Sequence, residues 1–314
     1  MVAIGTMQMQ DQAPFFKAHE ISYAILGRTI LKDLSFEIGA GQFFGLLGLN
    51  GAGKSLLIQL LAGTRNWQSG TVTFLGKQSQ GVDPRCRRDL GCVFQTLSLD
   101  QKLTAKQNLY LAGRLYGIPT KVLQENYYEV VEALQITTYL SDQVSKLSGG
   151  QKRKIDLARV LITKPKLVLL DEPTAHLDVP SSVDFWESLK QARAKFGTSV
   201  LLATHKPEEA QICDVLGVLS EGKWKAYGTV QGLLQSLNRD LVVLSEVQNL
   251  SLVRETLKST PGIVSIQEKE GNLYCKSDTG PQVLRSLMDT LPRDVVGQLS
   301  VRRSNLGDFM ERHL

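Results

Sequence analysis

The 314 residues, 42% of them hydrophobic, suffice for one large and one small domain with apolar cores, which excludes a disordered chain. The formal net charge of +5 is modest, and the basic residues are scattered apart from short clusters such as Arg85, Arg87 and Arg88. Composition therefore gives no reason to expect a direct nucleic-acid partner.

The opening "MVAIGTMQMQDQ" lacks the basic start and apolar core of a secretory signal. No apolar run approaches the roughly 18 residues that span a bilayer, so a membrane role would come through a partner. The four cysteines, Cys86, Cys92, Cys213 and Cys275, show neither CxxC spacing nor histidines at metal-ligand intervals. That argues against a disulfide framework or zinc site and for a reducing, cytoplasmic setting.

From Phe15 to about Phe44 short apolar runs are broken by Gly and polar residues, predicting an antiparallel strand region. "FFGLLG" then starts a different pattern: buried strand, glycine loop, helix "KSLLIQLLAG". The loop "GLNGAGKS", residues 48 to 55, fits G-x-x-x-x-G-K-[ST]. Gly48, Gly51 and Gly53, with Asn50 and Ala52 between them, let backbone N–H groups curl around a phosphate at a positive helix end. Lys54 would reach the β and γ phosphates, and the Ser55 hydroxyl would hold Mg²⁺.

"LTAKQNLYLAGRLYGI" and "KVLQENYYEVVEALQI" repeat apolar residues at helical spacing, with Gly117 and Pro119 between them. In "LSGGQKRK", Ser148, Gly149, Gly150 and Gln151 open the helix "QKRKIDLARVLIT", whose N-terminal amides suit a phosphate. "KLVLLDEP" and "TSVLLATH" read as buried strands of a helix-covered parallel sheet. The first would project Asp171 and Glu172 at its carboxyl end, Asp171 suited to holding Mg²⁺ and Glu172 to orienting or deprotonating a water.

"GVLSEGKWKAYGTV" predicts a hairpin turning at Glu221-Gly222. Beyond it the order strand, helix, strand, strand, helix, strand is that of a split β-α-β, ferredoxin-like domain. The predicted boundaries are 13–238 for the larger domain and 239–314 for the smaller. The smaller part carries no catalytic cluster, and a regulatory or dimer-contacting role is expected of it.

"LSGGQ", "GLNGAGKS" and "LVLLDEPTAHLD" together resemble the ATP-binding subunit of ABC transporters, over roughly residues 15 to 235. The resemblance implies a P-loop NTPase fold of ABC type, with a parallel core sheet, an antiparallel β subdomain and a helical subdomain. It implies ATP and Mg²⁺ as ligands, hydrolysis coupled to transport, and a homodimer in which Ser148–Gln151 of one copy serve the nucleotide of the other. Gln95 in "GCVFQ" corresponds to the glutamine that senses Mg²⁺ and the attacking water, and His205 to the switch histidine at the γ-phosphate. Asp178 corresponds to the loop that communicates across the dimer, and Tyr23, with Ile25 as the alternative, to the adenine-stacking aromatic.

The sequence departs from the family in having His176 where Gly is common and Leu56 where a second hydroxyl is common. The helical stretch after Gln95 resembles the region where an integral membrane permease docks, and points to the exporter branch. A peripheral place on the inner face of the cell membrane follows. The rival expectation is a soluble ABC-type ATPase acting on nucleic acid or ribosomes. Such chains usually hold two cassettes, coiled-coil insertions or zinc modules, and the sequence shows none of these.

Overall fold

The computed structural model describes residues 15–237, 240–292 and 294–313. The opening segment, the start of the first predicted domain, and residues 238 and 239 at the predicted boundary lie outside them. The chain divides into two compact units, 15–230 and 231–313.

In the first unit β1 (Phe16–Ile25) and β2 (Arg28–Ile38) pair antiparallel as the early pattern predicts. Phe16, Ile21, Leu31, Leu34 and Phe36 from these strands enter the main core. β3 (Phe43–Leu47) is buried throughout and feeds the glycine loop that opens α1 (Lys54–Leu61). β4 (Ser69–Phe74) and β5 (Lys77–Ser79) then return to the first sheet, whose order is β2-β1-β4-β5.

β6 (Leu90–Val93) is followed by α2 (Ala105–Leu115), α3 (Thr120–Leu134) and α4 (Gly149–Leu161). β7 (Leu167–Asp171), α5 (Val179–Phe196), β8 (Ser199–Thr204), the single turn α6 (Pro207–Ala210), β9 (Val215–Ser220) and β10 (Lys223–Thr229) complete the unit. The second sheet has the order β10-β9-β3-β8-β7-β6, parallel except for the β9/β10 hairpin. That hairpin turns at Glu221 and Gly222, both at positive φ, as its sequence predicts.

β7 and β8 are buried at every position, which is why they read as unbroken apolar runs. Each of the leucines and valines in β7 contributes about 1.5–3 kcal/mol by leaving water. The energy of this layer fixes the carboxyl ends of β3, β7 and β8 side by side, and the chemistry-bearing residues follow those ends.

The second unit holds most of α7 (Val230–Leu237), then β11 (Asp240–Val247), α8 (Leu250–Ser259), β12 (Ile263–Lys269), β13 (Asn272–Ser277), α9 (Gly280–Thr290), β14 (Val296–Arg303) and α10 (Leu306–His313). Its antiparallel sheet runs β12-β13-β11-β14, the arrangement expected of a split β-α-β unit. Val242, Leu244, Leu273 and Cys275 of the sheet bury against Val253 and Leu257 of α8 and Val283 and Leu287 of α9. Among the described residues, no helix is long and apolar enough to cross a membrane.

Candidate nucleotide site

The loop from Gly48 to Gly53 leaves the end of β3 and turns into α1, with Gly51 and Gly53 at φ 82° and 107°. Side chains rarely adopt that conformation, so glycine is demanded locally. Gly48 is fixed for another reason: a Cβ there would lie 2.3 Å from the Leu219 carbonyl oxygen. Ala52 is buried, and no side chain caps α1, whose first-turn amides therefore remain for a ligand.

Lys54 is 4% exposed, and its ammonium donates to the Gly48 and Leu49 carbonyls at 2.8 and 3.0 Å. Burial lowers its pKa, while Glu172 and Asp171 act in the opposite direction. The lysine thus waits against the loop's own carbonyls, 3.9 Å from Glu172 Oε1.

Asp171 ends β7, and its Oδ1 accepts a hydrogen bond from Ser55 Oγ at 2.9 Å. Burial raises its pKa, the neighbouring Glu172 adds to the rise, and the Ser55 bond opposes it. Glu172 follows at φ 46°, its backbone N–H donating to the Ala203 carbonyl. That positive φ turns the chain between two acids that would otherwise alternate along a strand. His205, one residue past β8, brings Nδ1 to 3.1 Å from Glu172 Oε1.

Two adjoining clefts form here. One, of about 380 Å³, is lined by Asn50, Gly51, Gly53, Lys54, Ser55, Leu56, Gln95 and Glu172. The other is lined by Ser55, Gln95 and Asp171 among others, so Gln95 borders both. The structure brings together the P-loop, the acidic pair, Gln95 and His205.

It does not bring Ser148, Gly149, Gly150 or Gln151 into either cleft. These residues open α4, where Ser148 Oγ accepts from the Gln151 N–H and Gln151 Oε1 accepts from the Ser148 N–H, a closed capping box. Asp178 caps α5 by accepting from the Ser181 N–H at 3.0 Å, and its bonds to Ser181 hold its pKa low. His176 is exposed at φ 66°, the backbone region in which glycine is at ease. Tyr23 is half-buried in β1 and packs on the main core, whereas Ile25 is 40% exposed.

Ser55, Gln95, Asp171 and Glu172 offer hard oxygen donors. Among the described residues, no group of three or more His, Cys, Asp or Glu could by itself hold a metal. This donor set fits Mg²⁺, which binds through one or two protein oxygens together with substrate phosphates and water.

Sequence reasoning missed the groups that brace these loops. Glu209 is buried and accepts hydrogen bonds from the Thr174 and Thr204 hydroxyls, tying the segment after Glu172 to the strand end before His205. Arg153, also buried, grips the backbone at Gln95. The available signal was an interior helix segment, "RKIDLAR", with opposite charges spaced three apart.

A glycine loop at the end of the buried strand β3, a lysine turned into it and an acidic pair at the end of β7, two strands away in the same sheet, define a P-loop nucleotide hydrolase. The family described as ABC transporter matches residues 31–175. The chain is 34% identical over 263 residues to a Nod factor export ATP-binding protein I of Neorhizobium galegae, covering 83% of this chain and 75% of that one. It is 33% identical over 290 residues to a linearmycin resistance ATP-binding protein of Bacillus subtilis, covering 91% and 93%. An ATP-binding subunit of an ABC transporter superposes with TM-score 0.62 at 27% identity, over 71% of this chain and 92% of that structure. A nucleotide-free ATP-binding cassette superposes with TM-score 0.64 at 23% identity, over 72% and 95%, and supports the fold alone. The chain belongs to the ABC transporter family, as an ATP-binding subunit with ATPase activity.

Proposed function

We propose that two copies of this chain clasp two MgATP molecules between them, and that their closing and opening drive an exporter's membrane permease from the cytoplasmic face. The carrying observation is the placement of Ser148–Gln151, which present a helix N-terminus but line neither nucleotide cleft of their own chain. A second copy is the natural source of a phosphate for that terminus.

Within each site Lys54 exchanges the Gly48 and Leu49 carbonyls for phosphate oxygens. Mg²⁺ supplies charge neutralisation at the phosphates, with Ser55, Asp171 and Gln95 as the residues that would hold it. Glu172 Oε1 is engaged by His205, so Oε2 is left to orient the attacking water and accept its proton. His205 keeps that carboxylate aimed and stands near the γ-phosphate. Asn50, Gly51, Ala52 and Gly53 would line the phosphate path, Tyr23 or Ile25 would pack on the base, and Asp178 would meet the other copy.

The relatives' names, Nod factor export and linearmycin resistance, support the exporter branch. Exposed Leu111, Leu115 and Tyr116, in and just after α2, supply an apolar surface for the permease. The smaller domain, 239–314, is assigned a regulatory or dimer-contacting role. Its deletion should change transport or dimerisation, and finding both untouched would remove that assignment.

Glu172→Gln tests the site. Hydrolysis should fall about 10²–10⁴-fold while ATP binding persists and the protein elutes as an ATP-dependent dimer. Undiminished turnover would end the role given to Glu172.

A further inference from the structure

α4 carries Arg153, Asp156 and Arg159 at steps of three, and the hydrolysis scheme uses none of them. Arg153 is 3% exposed and Asp156 is fully buried. Asp156 Oδ1 accepts from Arg159 Nε at 2.9 Å, and Oδ2 lies 3.7 Å from Arg153 Nη1. The guanidinium of Arg153 points its two terminal nitrogens at consecutive carbonyls, Phe94 O at 2.7 Å and Gln95 O at 2.8 Å. Arg159 reaches the Cys92 carbonyl at 3.4 Å.

Burying these charges is costly, and apolar replacements of similar volume are often as stable, so stability alone does not account for the cluster. A guanidinium does something that an apolar side chain cannot. Its planar fork fixes two carbonyls at once and ties the strand end carrying Gln95 to a rigid helix. The N-terminus of that helix is Ser148, about 1.4 turns from Arg153.

The geometry points to Arg153, held by Asp156, as a positioning residue that sets Gln95 relative to the Ser148 end of α4, so that a phosphate bound there changes the setting of Gln95 at the chain's own nucleotide. The assignment rests on the role proposed for Gln95. Arg153 touches only the backbone of the Gln95 segment, so its effect must pass through that side chain.

A double-mutant cycle on the full-length chain separates this from packing. Arg153→Lys keeps the charge but loses the fork. It should lower MgATP turnover about tenfold and raise the Mg²⁺ concentration for half-maximal rate, with little change in the KM for ATP. In a Gln95→Ala background the same change should cost nothing more. An equal fold loss in both backgrounds would overturn the proposal and leave the Gln95 role standing. A Gln95→Ala variant with undiminished turnover would overturn both. Should Arg153→Lys not fold, Asp156→Asn takes its place in the cycle, with the same two outcomes.

Discussion

The two glycine-rich loops of the larger unit are built on opposite principles. The P-loop is closed upon itself: Lys54 is buried against the loop's own carbonyls, Gly48 abuts the Leu219 carbonyl, and Gly51 and Gly53 hold positive φ. Its glycines are explained by the chain that contains them. The loop at Ser148 is exposed, its capping box is complete, and a Cβ on Gly149 would meet only Leu177, at an ordinary 3.7 Å. Among the described residues, nothing requires glycine at 149. A residue that its own fold leaves unconstrained, at a helix N-terminus, is understandable if something outside the chain must approach its backbone.

The largest effect expected from this contrast comes from pairing two inactive variants. Lys54→Ala should abolish tight ATP binding, whereas Ser148→Arg should leave binding to the single chain intact and lower hydrolysis at least about 10²-fold. Each alone is dead. Mixed one to one, half the dimers hold one site with an intact lysine and an intact serine, so turnover should recover to about a quarter of the parent rate. A mixture as inactive as its components would mean that each loop serves its own chain.

A smaller contrast lies in stability. Gly48→Ala drives a Cβ into backbone and should cost about 1–3 kcal/mol, read from urea midpoints. Gly149→Ala should stay within about 0.5 kcal/mol, yet lower hydrolysis. Equal destabilisation by the two would erase the distinction between the loops.

Much of the site was legible because each of its parts is a local pattern. A buried strand entering "GLNGAGKS", a buried strand ending in Asp171-Glu172 and a capped helix at Ser148 each announce themselves within a dozen residues. The secondary order of the smaller unit was legible for the same reason, its apolar spacing alternating cleanly between strand and helix. Where tertiary context decides, the reading stopped. β4 and β5 are short, with exposed positions, and become strands by pairing, β4 with β1 and β5 with β4. The grip of Arg153 on Gln95 spans 58 positions, and the Glu209 clamp joins two loops 35 apart; no window of sequence contains either.

The smallest expected effect sets the acidic side of the P-loop against its function. Burial raises the Asp171 pKa, so the folded chain without nucleotide holds that proton more tightly than the unfolded chain does. The contribution to stability is full below the unfolded value of about 3.9 and is lost as pH rises through the higher folded value. At pH 7 to 8 the ionised, buried carboxylate is therefore a standing cost in the nucleotide-free protein. Asp171→Asn keeps an oxygen for the Ser55 hydroxyl and removes that cost, so its unfolding midpoint should exceed the parent's by about 2–4 °C at pH 7.5. The gain should shrink as pH falls towards 4, while Mg²⁺-dependent hydrolysis is lost throughout. A midpoint below the parent's at pH 7.5 would show that the carboxylate stabilises the empty site, and Asp171 would then belong with the self-contained loop rather than with the ligand it awaits.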